Sequence, residues 1–177
     1  MEFQEKNVLV FGSGKSGIAA AELLEKQNAN IFVFEGNEKQ SVAEIKEKSE
    51  SFAKAEIYVG TLPEEVMDKL DFVVLSPGVP TDLPLVNAMR DKKIMIIGEI
   101  ELAYQVAKGK ILAITGTNGK TTTTTLVGEI LSNYFKDVKV VGNIGIPYTS
   151  VAADTTEETV TAAEISSFQL ETIVDFA

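Results

Sequence analysis

Short apolar runs alternate along this chain with segments whose apolar residues recur every three or four positions. Residues 7–11 (NVLVF) read as a buried strand, and Ile18, Ala21 and Leu24 mark one face of the helix that follows. Residues 31–34, 57–59, 72–75 and 94–97 repeat the strand signal, with a helix expected at 83–90. Between them, residues 38–54 mix Glu and Lys with sparse apolar positions, as a solvent-facing helix does. Short strands separated by helices predict an α/β fold with a parallel, doubly wound sheet.

After Gly98 the rhythm starts again. A helix through Glu101 and Tyr104 leads to a strand at 111–114, and the next helix places Leu126, Val127, Ile130, Leu131, Tyr134 and Phe135 on one face. Strands at 138–141 and 160–163 continue a second sheet, and residues 167–174 read as the opening of another helix. We therefore expect two domains, 1–97 and 98–177. The second has too few strands to cover its sheet faces and edges, and reads as the first part of a larger domain.

Candidate chemistry sits where strands run into glycine turns. Thr115-Gly116-Thr117-Asn118-Gly119-Lys120-Thr121-Thr122 follows the strand 111–114 and opens a helix. Such a loop aims backbone N–H groups, a helix N-terminus and an ammonium at one point, which suits a polyphosphate. It is shorter than a strict Walker A loop, whose first glycine would fall where Ile114 stands. A lysine at a helix start is unfavourable unless an anion is bound. The threonine run 121–125 is poor helix material, so some of its hydroxyls are expected to act; Thr121 is placed to ligate Mg²⁺. Glu164 closes the strand 160–163 and is a second Mg²⁺ candidate or a surface carboxylate. Asn143, in the turn 142–147, either offers its amide to a ligand or forms the loop.

The first strand leads into Gly12-Ser13-Gly14-Lys15-Ser16-Gly17, a G-x-G-x-x-G pattern, with Glu35 ending the second strand. Alone this reads as a nicotinamide dinucleotide site, as the turn for another nucleotide diphosphate, or as a packing turn. Ser76-Pro77-Gly78 follows the fourth strand at the same sheet edge, as a ligand loop or an ordinary turn.

Composition narrows the chemistry. With 26 acidic and 16 basic residues the net charge is -10, which speaks against a nucleic-acid footprint or an anionic membrane surface. Cysteine and histidine are absent, which excludes disulfides, thiolate catalysis, histidine acid-base chemistry and Cys/His zinc sites within these residues. A metal would be a hard cation on oxygen ligands. No leader pattern or membrane-length apolar run appears, and a cytoplasmic location is expected.

Together these motifs resemble the Mur ligases, ATP-dependent amide-forming enzymes of peptidoglycan precursor synthesis. The phosphate loop at 115–122 lacks the first Walker glycine as theirs does. The turn at 142–147 and Glu164-Ile165-Ser166-Ser167-Phe168-Gln169-Leu170-Glu171 are similar to the branch that adds D-glutamate to UDP-N-acetylmuramoyl-L-alanine. The turn at 76–80 and the Rossmann-like first loop agree. The resemblance implies a UDP-substrate domain with Gly14, Lys15 and Ser16 at the diphosphate and Ser76, Pro77 and Gly78 near the uracil. It implies an ATP site formed by Gly116, Thr117, Asn118, Gly119, Lys120, Thr121 and Thr122. There Lys120 would neutralise the terminal phosphates, Thr121 and Glu164 would hold Mg²⁺, and Asn143 would contact substrate or nucleotide. Where family members often carry a Thr-Arg pair after the second strand, this chain has Gly36-Asn37. The implied reaction forms an acyl-phosphate on the L-alanine carboxylate, which the D-glutamate amine then attacks. The family's carbamylated lysine, its histidine and its D-glutamate domain lie later than position 177, so the resemblance implies an N-terminal part without ligase turnover of its own. The competing readings are a UDP-sugar-binding module, another Mur ligase, and a nicotinamide-dependent oxidoreductase.

Overall fold

The computed structural model describes residues 1–143 and 145–176, in two compact units, Met1–Glu99 and Ile100–Ala177. In the first unit, strands β1 (Asn7–Phe11), β2 (Asn30–Glu35), β3 (Glu56–Val59), β4 (Phe72–Leu75) and β5 (Met95–Gly98) form one parallel sheet in the order β3-β2-β1-β4-β5. The order reverses at β1, so the ends of β1 and β4 flank a topological switch point, where open α/β sheets bind ligands.

β1 is apolar on both faces because both are covered. Val8, Leu9 and Val10 are all fully buried. Leu9 and Phe11 point to the same face as their register partners Val73 and Leu75, and join Phe34, Met67, Val86 and Met89 in one core layer. Phe11 and Phe34 pack edge-on, with ring centroids 4.7 Å apart. Helix α1 (Lys15–Lys26) buries Ala19, Ala20, Leu23 and Leu24.

The expected helix at 38–54 is two short helices instead, α2 (Val42–Lys46) and α3 (Glu50–Lys54). Two serines cause the break. Ser41 and Glu44 form a capping box, and the Ser49 hydroxyl accepts the Phe52 N–H and starts a second helix eight residues on. Ile45 and Phe52 are completely buried, each worth roughly 1.5–3 kcal/mol of apolar transfer, so the segment is anchored rather than solvated throughout. Two further helices complete this unit, the single-turn α4 (Glu64–Met67) and the longer α5 (Pro84–Asp91).

The second unit takes in α6 (Glu99–Val106) from its second residue and carries a three-stranded parallel sheet, β6-β8-β7, from β6 (Lys110–Ile114), β7 (Val138–Gly142) and β8 (Val160–Glu164). β8 is central and buried along its whole length, and its small residues Thr161, Ala162 and Ala163 let helix α7 (Lys120–Ser132) approach. α7 does not bury the apolar face expected for it. Thr124 and Gly128 are its buried residues, a Cβ on Gly128 would come within 2.4 Å of Val140, and Leu126 and Ile130 stay half-exposed. The helix ends at Ser132, so Tyr134 and Phe135 lie beyond it. The short α8 (Thr149–Ala152) follows β7.

The expected helix at 167–174 shrinks to a single turn, α9 (Ser167–Leu170). Beyond it, from Val174 on, the backbone is held by a carboxylate from α6 instead. Glu101, with no exposed surface, accepts the backbone N–H groups of Val174 (2.8 Å), Asp175 (3.2 Å) and Phe176 (3.0 Å), and the Gln105 side-chain amide at 2.7 Å. The Phe176 ring packs edge-on against Tyr104, centroids 5.3 Å apart. Among the described residues no helix is long and apolar enough to cross a membrane.

Burial disfavours the Glu101 anion, but the N–H donors of Val174, Asp175 and Phe176 together with Gln105 outweigh it, holding the carboxyl below its ordinary value of 4.5. A folded-state value below the unfolded one adds stability above about pH 4.5 that is lost as pH falls through the lowered value. Glu101→Gln is therefore expected to cost roughly 1–3 kcal/mol. In the variant the amide protons of Val174 and Phe176 should exchange faster at neutral pH, and the acid sensitivity of their protection should flatten. Unchanged protection would show that the clamp contributes nothing.

Candidate functional site

Each unit gathers its glycine loops at the carboxyl edge of its own sheet. In the first, β1 runs into Gly12, which turns with φ of +110°. A Cβ there would lie 2.9 Å from the Ser76 hydroxyl, and one on Gly17 only 1.9 Å from the Gly12 carbonyl oxygen, so both glycines are required by packing. Gly14 differs. It is the N-cap of α1, nothing lies within 4 Å of where its Cβ would be, and no side chain caps the helix. The N–H groups of the first turn, at Lys15 and Ser16, are thus left to an outside acceptor.

Ser76 begins the turn after β4, its N–H donating to the Phe11 carbonyl at 3.1 Å and its carbonyl accepting from Val79 at 2.9 Å. Its hydroxyl is buried without a hydrogen-bond partner, beside the glycine turn. The structure therefore brings Gly14, Lys15, Ser16 and Ser76 to one sheet edge, with Pro77 and Gly78 on the adjoining turn.

Glu35 does not stand free at that edge as a ribose-binding acid would. Its Oε2 accepts the N–H (3.1 Å) and hydroxyl (2.6 Å) of buried Ser13, and its Oε1 accepts the Asn37 N–H at 2.9 Å. Burial raises the carboxyl, and these bonds, with the nearby Lys48 ammonium, more than reverse it, leaving Glu35 below the usual range. Sequence reading passed over Ser13, Gln40 and Lys48. Lys48 donates to the Ser13 carbonyl (3.1 Å), the Ser13 hydroxyl (2.8 Å) and Gln40 Oε1 (2.5 Å). The only signal for it was the pair of serines that splits 38–54.

In the second unit, register puts three strand ends in a row: Ile114 of β6 and Gly142 of β7 both pair with Glu164 of β8. The phosphate loop leaves from one side of this row and the 142–147 turn from the other; Ile144 of that turn lies outside the described residues. Gly116 (φ +147°) and Gly119 (φ +77°) take conformations other residues resist, and Gly119 caps α7 without a side chain. Thr117 and Asn118 are exposed at the loop's crest, and Lys120 folds back to donate to the Gly116 carbonyl at 2.8 Å.

Glu164 is the centre of the arrangement, only 1% exposed. Its Oε2 accepts the Thr121 hydroxyl at 2.9 Å and its Oε1 the Asn143 side-chain amide at 3.1 Å. The backbone repeats the link, the Asn143 N–H donating to the Glu164 carbonyl at 2.8 Å. A Cβ on Gly142 would come within 2.2 Å of that carbonyl, so this turn too needs its glycine. After Glu164, a capping box between Ser166 and Gln169 fixes the chain's exit. Thr122 is exposed on the first turn of α7, and Thr124 is buried with an unpartnered hydroxyl. One carboxylate and one hydroxyl suit Mg²⁺, which keeps several waters and takes substrate phosphates as its remaining ligands. Among the described residues no group of three or more acidic side chains is arranged to hold a metal without such help.

Comparison with known proteins finds a relative for each unit. Residues 6–98 match the Mur ligase MurD-like N-terminal domain, and residues 114–177 the Mur ligase middle domain. The chain is 55% identical over 176 residues to the UDP-N-acetylmuramoylalanine--D-glutamate ligase of Lachnoclostridium phytofermentans, and 50% identical over 176 residues to that of Lachnospira eligens. Each alignment covers 99% of this chain and 39% of the relative, so the chain spans about two fifths of their length. The fold is shared with a UDP-N-acetylmuramate:L-alanyl-gamma-D-glutamyl-meso-diaminopimelate ligase from Neisseria meningitides, at a TM-score of 0.53 and 16% identity over 90% of this chain and 52% of that one. Family models thus match both sheets of the chain along most of their length, and the chain belongs to the Mur ligase family.

Proposed function

We propose that this chain supplies the UDP-substrate domain (1–97) and the first part of the ATP-binding domain (98–177) of a cytoplasmic ligase. That ligase adds D-glutamate to UDP-N-acetylmuramoyl-L-alanine. The observation that carries the reading is the Thr121–Glu164–Asn143 cluster at the mouth of the phosphate loop. The 55% identity to a D-glutamate ligase supports the choice of branch.

In the proposed reaction the L-alanine carboxylate attacks the terminal phosphorus of ATP and ADP leaves. The D-glutamate amine then attacks the acyl carbon, the C–O bond to phosphate breaks, and an amide and inorganic phosphate result. The first unit would hold the donor's diphosphate on the N–H groups of Lys15 and Ser16 opened by Gly14, with Ser76, Pro77 and Gly78 towards the base. In the second unit, Gly116, Thr117, Asn118, Gly119 and Thr122 would wrap the ATP phosphates. Lys120 would leave the Gly116 carbonyl for a charged acceptor, where an ammonium is worth more. Mg²⁺ would neutralise charge building on the transferring group. Thr121 and Glu164 would hold it, and Asn143 would keep the Glu164 carboxylate aimed at it.

A narrower reading, a UDP-sugar-binding module, draws support from the first unit's complete five-stranded sheet and separate core. The nicotinamide alternative loses its main support, since both Glu35 oxygens are engaged with the turn itself. Titration of the 177-residue chain with UDP is expected to shift the amide resonances of Gly14, Lys15 and Ser76, with NAD producing no comparable change. Absence of shifts at millimolar UDP would remove the nucleotide reading of the first edge.

The polypeptide of 177 residues is expected to bind Mg-ATP without sustained turnover, because it spans 39% of its relatives' length. Lys120→Ala should weaken ATP binding by about tenfold or more, the worth of one charge-assisted contact of ~1.5–3 kcal/mol. Calorimetry checks the affinity. Continuous phosphate release with D-glutamate and the UDP substrate would refute the division of labour proposed here.

A further inference from the structure

We propose that Lys48 is a positioning residue of the first nucleotide site, supplying the positive charge that holds the diphosphate loop in its binding form. This rests on the reading of that edge as a UDP site. The chain carries a net charge of -10, so a diphosphate is repelled by the molecule as a whole and needs a local cation. Lys15 is exposed at the first position of α1, with no side-chain bond fixing its ammonium among the described contacts. Lys48 comes from 35 residues away in sequence and is fixed. All three of its N–H donors are used, two on Ser13 and one on Gln40.

The local fold explains why it reaches that point. Ile45 and Phe52, both fully buried, pin α2 and α3, and the Ser49 cap interrupts the helix between them. Lys48 occupies this break, its own N–H bonded to the Ile45 carbonyl. A continuous helix over 38–54 would leave the residue before Ser49 on a regular turn, without the break that points it at the glycine loop. Ser13, its target, is 1% exposed and immediately precedes Gly14. The Glu35 carboxylate holds Ser13 from one side and Lys48 holds it from the other. The Lys48 charge offsets that of Glu35, which would otherwise stand beside the phosphates. Of the other charged groups nearby, Glu44 is drawn to Lys48 as well, and its carboxylate is engaged with the Ser41 capping box.

Such a role separates phosphate from nucleoside. Affinities for UDP and uridine are measured by chemical-shift titration on the full 177-residue chain and on K48M and K48R. K48M is expected to lose about five- to tenfold in UDP affinity while uridine affinity stays unchanged, and K48R to recover most of the loss. Raising salt from about 50 to about 300 mM should weaken UDP binding more in the parent chain than in K48M. Circular dichroism establishes that each variant is folded, and the salt series on the parent chain reads the charge without any substitution. Three results overturn the assignment: equal UDP affinity in K48M, equal loss for UDP and uridine, or a parent chain whose UDP affinity ignores salt. If the parent chain binds no UDP, the nucleotide reading itself falls, and this role with it.

Discussion

A carboxylate buried at the end of a central strand obliges its surroundings to supply hydrogen bonds, and the second unit is organised around that obligation. Glu164 ends β8 at 1% exposure, with β6 and β7 in parallel register on either side. Its two oxygens take Thr121 and Asn143, one from the phosphate-loop helix and one from the turn after β7. An unpartnered buried anion would cost several kcal/mol. The carboxylate proposed to serve the site is therefore the same one that ties loop, helix and turn together. Small residues along β8 and Gly128 on α7 serve this arrangement by letting the helix sit low enough for Thr121 to reach.

The first unit meets a comparable demand differently. Glu35 is held against the glycine turn by Ser13 and Asn37, so the acid that pattern alone would assign to a ribose instead shapes the loop. Both units spend a strand-end glutamate on geometry. In the first the carboxylate is offset by the Lys48 ammonium, whereas in the second it meets a hydroxyl and an amide.

Much of this was legible in the residues. Apolar runs located the strands to within a residue or two, because buried parallel strands must be apolar on both faces. Glycines followed by a helix start located both loops, and Glu164 lies beside the phosphate loop as its place at a strand end implied; its bond to Asn143 was not foreseen. What stayed hidden depends on partners distant in sequence. Nothing local to residues 167–174 announces that Glu101, more than seventy positions earlier, will capture the backbone there. Lys48 looks like one charge among many until Ser49 is recognised as a second cap. Counting apolar positions on α7 overstated its buried face, because the sheet beneath it is matched to Thr124 and Gly128 rather than to Leu126 and Ile130.

The three glycines of the first turn carry different obligations. Gly12 and Gly17 answer to the fold, since any side chain at either meets Ser76 or the Gly12 carbonyl. Gly14 meets nothing within 4 Å. In evolutionary terms the turn therefore faces two different constraints. A side chain arising at 12 or 17 would be opposed by the protein's own interior, whereas one at 14 would be opposed only by the ligand proposed to lie there, so a lineage released from that ligand would be free to change it first.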